Sequence, residues 1–380
     1  MSGPQKPRLA AVYFAYYAGV GVSMAYLAPY LRGLGFDGKE IGAVAMAQQS
    51  VAVVAALFWG AMGDRIGVWA LRCATAGAAC GLALLPFART PVEAGMTLAA
   101  AAAFSGGIVP LVDAATVHAL GAGYSRVRLW GSVGFVCTAQ GLGMLLAARG
   151  EQAADKLMPL AWCACLAVTA AFASRLSQPA RSETERPRLQ EVWPLLRGAG
   201  FLFATCGLHW AANVPYNLFF GVLVREHGLS SRITGFGMAL GVAAEVGALF
   251  VFPSLTRRFS IKALFAIAYL SSALRWFLVS RAETAVSLSL LQLFHGATFG
   301  LWWACAIESM RRLVPARLRA TGQAVFSAVV FGAGNLSGSF WSGFGYDHFG
   351  GAAPLFLCAA AVELLALLPL IRVARADALD

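Results

Sequence analysis

Twelve stretches of mainly apolar residues recur along the chain, separated by short polar or charged breaks. A hydrocarbon layer is crossed by roughly 20 such residues in a helix, so each stretch is long enough to span one. They run Leu9 to Leu31, Ile41 to Met62, Val68 to Ala88, Ala94 to Ala119, Leu129 to Ala148, Leu157 to Ala173, Phe201 to Val224, Ile233 to Leu255, Ala263 to Ser280, Ala285 to Ile307, Ala320 to Gly345 and Ala352 to Ile371. The pattern predicts an all-α membrane protein. The first stretch is too long for a removable signal peptide and has no cleavage site, so it is expected to stay as a helix.

The longest polar interval runs from Ser174 to about Gly198 and divides the stretches six and six. Residues 1–174 are therefore expected to form one six-helix bundle, 175–198 a cytoplasmic linker and 199–380 a second bundle. Weak internal repetition supports two pseudo-symmetric halves. Phe104-Ser105-Gly106 recurs as Phe294-His295-Gly296, and Gly131, Gly141 and Gly143 recur as Gly322, Gly332 and Gly334. Gly35-Phe36 through Gly42 echoes Gly228-Leu229 through Gly235. Duplicated six-helix halves with a site near the midplane are a transporter plan.

Composition agrees, with 59% hydrophobic and only 12% charged residues. Placing the N-terminus inside puts twenty of the 29 Lys and Arg on the cytoplasmic side and eight outside, with Arg275 in the membrane. That bias satisfies the positive-inside rule with both termini cytoplasmic. It also accounts for the net charge of +11 as a property of the inner-leaflet face rather than of nucleic-acid binding. The eight cysteines all fall in apolar stretches, so neither disulfides nor a metal site is expected, and no cofactor is implied.

Charges inside the apolar stretches are the candidates for chemistry, because a charge in hydrocarbon costs at least ~2.5 to 3.5 kcal/mol and persists mainly where it pairs or lines a wet path. Asp113, Glu245, Arg275, Glu308 and Glu363 are such residues, with Arg128 at a helix end. Asp113 and Arg128 reach similar depth, and Ser132 and Phe135 lie four and seven residues beyond Arg128 on one helical face. His209, Asn213, Tyr216 and Asn217 form a polar stripe, and Tyr13 and Tyr17 lie one turn apart. Cavity lining and interhelical bonding are both open for these. Glu308 is expected to form a surface salt bridge with Arg311 and Arg312, while Glu363 has no partner that spacing identifies. Gly33-Leu34-Gly35-Phe36-Asp37-Gly38-Lys39 imitates a phosphate-binding loop, but Glu40 follows and no strand precedes it, so nucleotide binding is not expected.

Gly60-Ala61-Met62-Gly63-Asp64-Arg65-Ile66-Gly67 resembles the signature between helices 2 and 3 of the major facilitator superfamily, Gly-x-x-x-Asp-Arg-x-Gly followed by a basic pair, which here is Val68-Trp69. Pro110-Leu111-Val112-Asp113 followed by Tyr124-Ser125-Arg126-Val127-Arg128-Leu129-Trp130-Gly131-Ser132-Val133-Gly134-Phe135 resembles the lactose permease and phenylpropionate permease branch. The resemblance implies a conformational latch at Gly60, Asp64, Arg65 and Gly67. It implies substrate contacts from Asp113, Arg128, Ser132 and Phe135, to which Tyr17, Asn213 and Asn217 are added as cavity candidates. It also implies proton coupling through Glu245, Arg275 and His295. Phe135 stands where lactose permease has Trp, which turns the expectation from galactosides towards aromatic acids.

The expected protein is a monomeric secondary transporter, not an enzyme, of a bacterial inner membrane. Its partners are the lipid bilayer, protons and a small organic solute, either an aromatic acid or a sugar or nucleoside, moved by alternating access in symport. A structural ion pair at Asp113 and Arg128, interhelical polar bonding at Glu245 and Arg275, a proton-coupled efflux antiporter and a polytopic membrane enzyme are the readings to be separated from it. The topology is checked by C-terminal fusions: green fluorescent protein should fluoresce and alkaline phosphatase stay inactive, and the reverse would invert the assignment.

Overall fold

The computed structural model describes residues 5–150, 154–177, 198–315 and 318–373. Most of the expected linker, 178–197, lies outside them. Helices α1 (Gln5–Gly33), α2 (Gly38–Ile66) and α3 (Val68–Leu82) are followed by α4 (Pro91–Ser105) and α5 (Ile108–Leu120), which make one pass together. Helices α6 (Tyr124–Arg149) and α7 (Ala154–Ala173) complete the first six passes. The second six are α8 (Gly200–Glu226), α9 (Arg232–Leu255), α10 (Ile261–Val279), a tenth pass from α11 (Ala285–Leu290) to α12 (Trp302–Leu313), an eleventh from α13 (Arg319–Phe326) to α14 (Gly334–Phe349), and α15 (Ala352–Arg372).

Ten of these passes are apolar enough to cross a membrane on hydropathy alone among the described residues. The two that are not, α8 and the eleventh pass, carry the His209–Asn217 stripe and the Ser/Asn/Gly-rich 334–343 segment. Outward-facing side chains are large and apolar, as at Phe250, Phe340 and Leu368, as lipid contact requires.

Two compact units are present: Met1–Glu183 with Leu218–Ala239, and Thr184–Asn217 with Leu240–Asp380. The division thus falls inside α8 and α9 as well as near the linker. In the first unit Arg225 donates from Nη1 to the Pro29 carbonyl at 2.9 Å, and Tyr26 Oη donates to the Ala139 carbonyl at 2.6 Å. Small residues let its helices touch by backbone. Gly134 of α6 faces the Phe14 carbonyl, Gly21 faces that of Phe135, and Thr138 donates to the Ala18 carbonyl at 2.7 Å. In the second unit α10 packs on α15 and on the tenth pass, around Phe265, Tyr269, Trp302 and Phe326.

The weak sequence repeat has a structural counterpart. Both matching loops are the same helix stop: Gly35 donates to Arg32 and Phe36 to Leu31, while Gly228 donates to Arg225 and Leu229 to Val224. In each the glycine takes a positive φ, 93° and 66°, as this C-terminal motif demands. Asp37 and Glu40 then close a capping box that starts α2, so the loop resembling a phosphate binder is a helix start. Gly106 sits against the Ala52 carbonyl and Gly296 against that of Ala244, each where its pass departs from regular α-helix.

Overpacking a close backbone approach costs about 1–3 kcal/mol. Gly134→Ala should lower the melting temperature in detergent by several degrees, whereas Gly141→Ala, which meets nothing within 4 Å, should not; equal effects would contradict the α1–α6 contact.

Candidate functional site

Polar side chains gather in one cluster in each unit. In the first, α5 carries Asp113, α6 carries Arg128, and α1 supplies Tyr13 and Tyr17 one turn apart. Tyr13, with no exposed surface, donates to Asp113 Oδ1 at 2.5 Å. Arg128 donates from Nη2 to Tyr17 Oη at 2.5 Å, and its guanidinium lies 4.1 Å from the Tyr17 ring centroid. The Tyr124 hydroxyl is within interaction range of both charges.

Gly131 is needed here: a Cβ would come within 2.8 Å of the Tyr17 ring and 2.9 Å of Arg128 Nη1. Among the described residues no ion pair joins Asp113 to Arg128, so the structural ion pair is replaced by two tyrosine bonds to a third helix. Ser132 and Phe135 follow on α6, both half-buried.

The second cluster is built on Arg275 of α10, which has no exposed surface. Its Nη2 donates to Gln292 Oε1 at 2.5 Å, its Nη1 to Thr298 Oγ1 at 2.8 Å, and Nη1 lies 3.3 Å from His295 Nδ1. The guanidinium is sandwiched between the rings of Tyr216 and Trp276, 4.5 and 4.4 Å away. His295 Nε2 lies 4.0 Å from Glu245 Oε2. His295 therefore stands between Glu245 and Arg275, and no ion pair joins Arg275 to Glu245 among the described residues.

Gln292, His295 and Thr298 converge because the tenth pass is not a regular helix. A 3₁₀ turn at Leu291–Phe294 is followed by a π-helical turn at Gly296–Leu301, and such turns rotate side chains off the 3.6-residue stripe.

Glu363 of α15, for which spacing gave no partner, is fully buried in the same unit. Its Oε2 lies 2.8 Å from His209 Nδ1, and its Oε1 accepts from Trp276 Nε1 at 3.2 Å and from Asn213 Nδ2 at 3.3 Å. His209 Nε2 faces the Thr298 carbonyl at 2.9 Å, with the Tyr269 and Trp302 rings about it. Asn213 is thus committed to Glu363, while Asn217 is half-buried and Tyr17 holds Arg128.

Charge inside the spans was the signal for Glu363, but 154 residues separate it from His209 and no periodicity links them. Thr298 and Gln292 gave no signal at all. Glu308 forms the expected surface bridges, 2.6 Å to Arg311 and 2.8 Å to Arg312.

At the end of α2 Gly67 takes φ 60° and ψ −131°, capping α2 and opening α3, while Asp64 and Arg65 are exposed and Gly60 has open space. The eight cysteines are free thiols, and no group of metal-ligating side chains occurs among the described residues.

A twelve-pass all-α chain in two six-helix halves, with charges bonded across helices in each, has the architecture of a membrane transporter of the major facilitator type. The MFS_1 like family pattern matches residues 7–358, and the chain belongs to that family. It is 31% identical over 239 residues to a maltose permease of Geobacillus stearothermophilus, a match covering 61% of this chain and 59% of that protein. It is 26% identical over 371 residues to a protein of Escherichia coli K12 named "Probable 3-phenylpropionic acid transporter", covering 90% and 91%. Among solved structures, the nucleoside transporter NupG superposes with a TM-score of 0.84 at 17% identity over 98% of this chain and 99% of that one, a likeness of fold.

Leaving a buried polar group without its hydrogen-bond partner costs about 1–3 kcal/mol, and more if it is charged. His209→Ala should therefore depress the melting temperature far more than Glu308→Ala, whose bridges are at the surface; comparable shifts would show that the buried pair stabilises nothing.

Proposed function

We propose that the protein is a proton symporter that imports a small aromatic carboxylate by alternating access through a bacterial inner membrane, with both termini cytoplasmic. The observation that carries this reading is the separation of Asp113 from Arg128 by their tyrosine partners. Among the described residues no carboxylate forms an ion pair with the Arg128 guanidinium, so it can receive one from a solute. A charge-assisted bond of this kind contributes roughly 1.5–3 kcal/mol.

The Tyr17 ring beside Arg128 and half-buried Phe135, seven residues further along α6, offer flat apolar faces, and Ser132 adds a hydroxyl between Arg128 and Phe135 on the chain. Asn217 is a further polar contact; Asn213, held by Glu363, is better read as structural. The near full-length relative named for 3-phenylpropionic acid supports the same solute class. Asp113 bonded by Tyr13 can also hold sugar hydroxyls, and the maltose permease match favours that second reading over 61% of the chain.

For the proton, Glu245 is the accessible carboxylate of the second cluster, with a side chain 23% exposed and His295 beside it. His295 passes the effect of its charge to Arg275. The exposed Asp64 and Arg65, at a turn shaped by Gly67 and reached by the glycine-lined end of α2 from Gly60, serve as the latch between states.

Reconstituted protein should show counterflow of labelled 3-phenylpropionate that maltose and uridine do not compete, and Arg128→Gln should slow it at least about tenfold, the value of about 1.4 kcal/mol. Wild-type rates in Arg128→Gln, or competition by maltose or uridine alone, would remove the aromatic carboxylate reading. Accumulation in inverted rather than right-side-out vesicles would make the protein an exporter.

A further inference from the structure

We infer that the buried His209–Glu363 dyad is a second proton-binding site, holding one exchangeable proton between His209 Nδ1 and Glu363 Oε2. For its part in transport the inference rests on the proton coupling proposed above. Its chemical basis is independent of that.

The Thr298 carbonyl 2.9 Å from His209 Nε2 can only accept, so Nε2 carries a hydrogen; the Asn213 amide nitrogen, 3.2 Å from Nε2, is itself a donor whose two hydrogens go elsewhere. Glu363 Oε1 receives the Trp276 indole N–H and one Asn213 amide hydrogen, the other going to the His209 carbonyl at 2.8 Å. Oε1 is therefore an acceptor, and any proton of this carboxyl belongs to Oε2. A 2.8 Å separation of Nδ1 from Oε2 in turn requires one hydrogen between them.

Whether that hydrogen is written on nitrogen or on oxygen, the proton count is the same and the dyad is neutral. Releasing it to water breaks the bridge, leaves the electron pair on the dyad and gives it a charge of −1. Reuptake restores the bridge. The charged and titratable groups facing the dyad are Arg275, Tyr269 and, 4.0 Å beyond the Tyr269 hydroxyl, Cys206. Arg275 supplies the positive charge that an emptied dyad needs.

A route for coupling is built into the same unit. Thr298 accepts from His209 through its carbonyl and from Arg275 through its hydroxyl, and Arg275 contacts His295, which neighbours Glu245. The dyad thereby joins α8 and α15 to the π-helical turn of the tenth pass, and its proton decides whether that junction is made. The likeness of a Gln side chain to a protonated Glu makes the idea testable: in Glu363→Gln the amide donates to Nδ1 at every pH.

The first measurement needs no solute. The melting temperature of purified protein is followed from acid to alkaline pH in wild type and Glu363→Gln. The 2.8 Å bridge exists only while it holds its hydrogen, so its stabilisation is present at low pH and lost as pH rises. Wild type should match Glu363→Gln in acid and fall several degrees below it in alkali, whereas parallel profiles would overturn the inference.

The second measurement uses 3-phenylpropionate uptake into proteoliposomes, corrected for protein-free vesicles. A pH gradient, acid outside, should stimulate wild type and leave Glu363→Gln unstimulated, with counterflow persisting at a reduced rate. Stimulation equal to wild type would overturn the inference. A wild type that ignores the gradient would sink symport instead, and the melting profiles alone would then decide the dyad.

Discussion

Hydrocarbon offers no hydrogen bond, so every charge carried into it must find its partners within the protein. That constraint organises both units. Arg275 is met by an amide, a hydroxyl, an imidazole and two aromatic faces, and Glu363 by an imidazole, an indole and an amide. Asp113 and Arg128 each take a tyrosine hydroxyl. Each bond of this kind adds only about 0.6 kcal/mol on average in a membrane protein. Their value lies in specificity: each fixes which face of one helix meets another.

The same limits explain what could be read from the chain. Membrane spans are long, apolar and insensitive to neighbours, so all twelve stand within a few residues of where hydropathy placed them, as α2 at Gly38–Ile66 and α15 at Ala352–Arg372 illustrate. Asp113, Arg128 and Arg275 were legible because charge in an apolar run is conspicuous, whereas His295 entered only through the family resemblance. Their actual partners were less so. Tyr13 and Tyr17 are one turn apart and could equally have lined a cavity, and nothing in the sequence ties Glu363 to His209. Thr298 is brought to the dyad by a π-helical turn, a departure from helical periodicity that no hydrophobic pattern reports.

Duplication shows itself most clearly where backbone geometry is demanding. The paired stops at Gly35 and Gly228 and the paired close approaches at Gly106 and Gly296 persist where little else in the two halves matches. Side-chain chemistry has diverged between them: one half holds an acid and an arginine on tyrosines, the other an arginine core beside a buried acid and histidine. A carrier needs that asymmetry if solute and proton are to be bound by different groups yet answer to one conformational change.

The most direct test of the account is the pH inside proteoliposomes carrying a trapped pH-sensitive dye when 3-phenylpropionate is added outside. The account predicts that the lumen acidifies faster than in protein-free vesicles, in step with labelled solute. Solute entry through the protein with no accompanying acidification would contradict it.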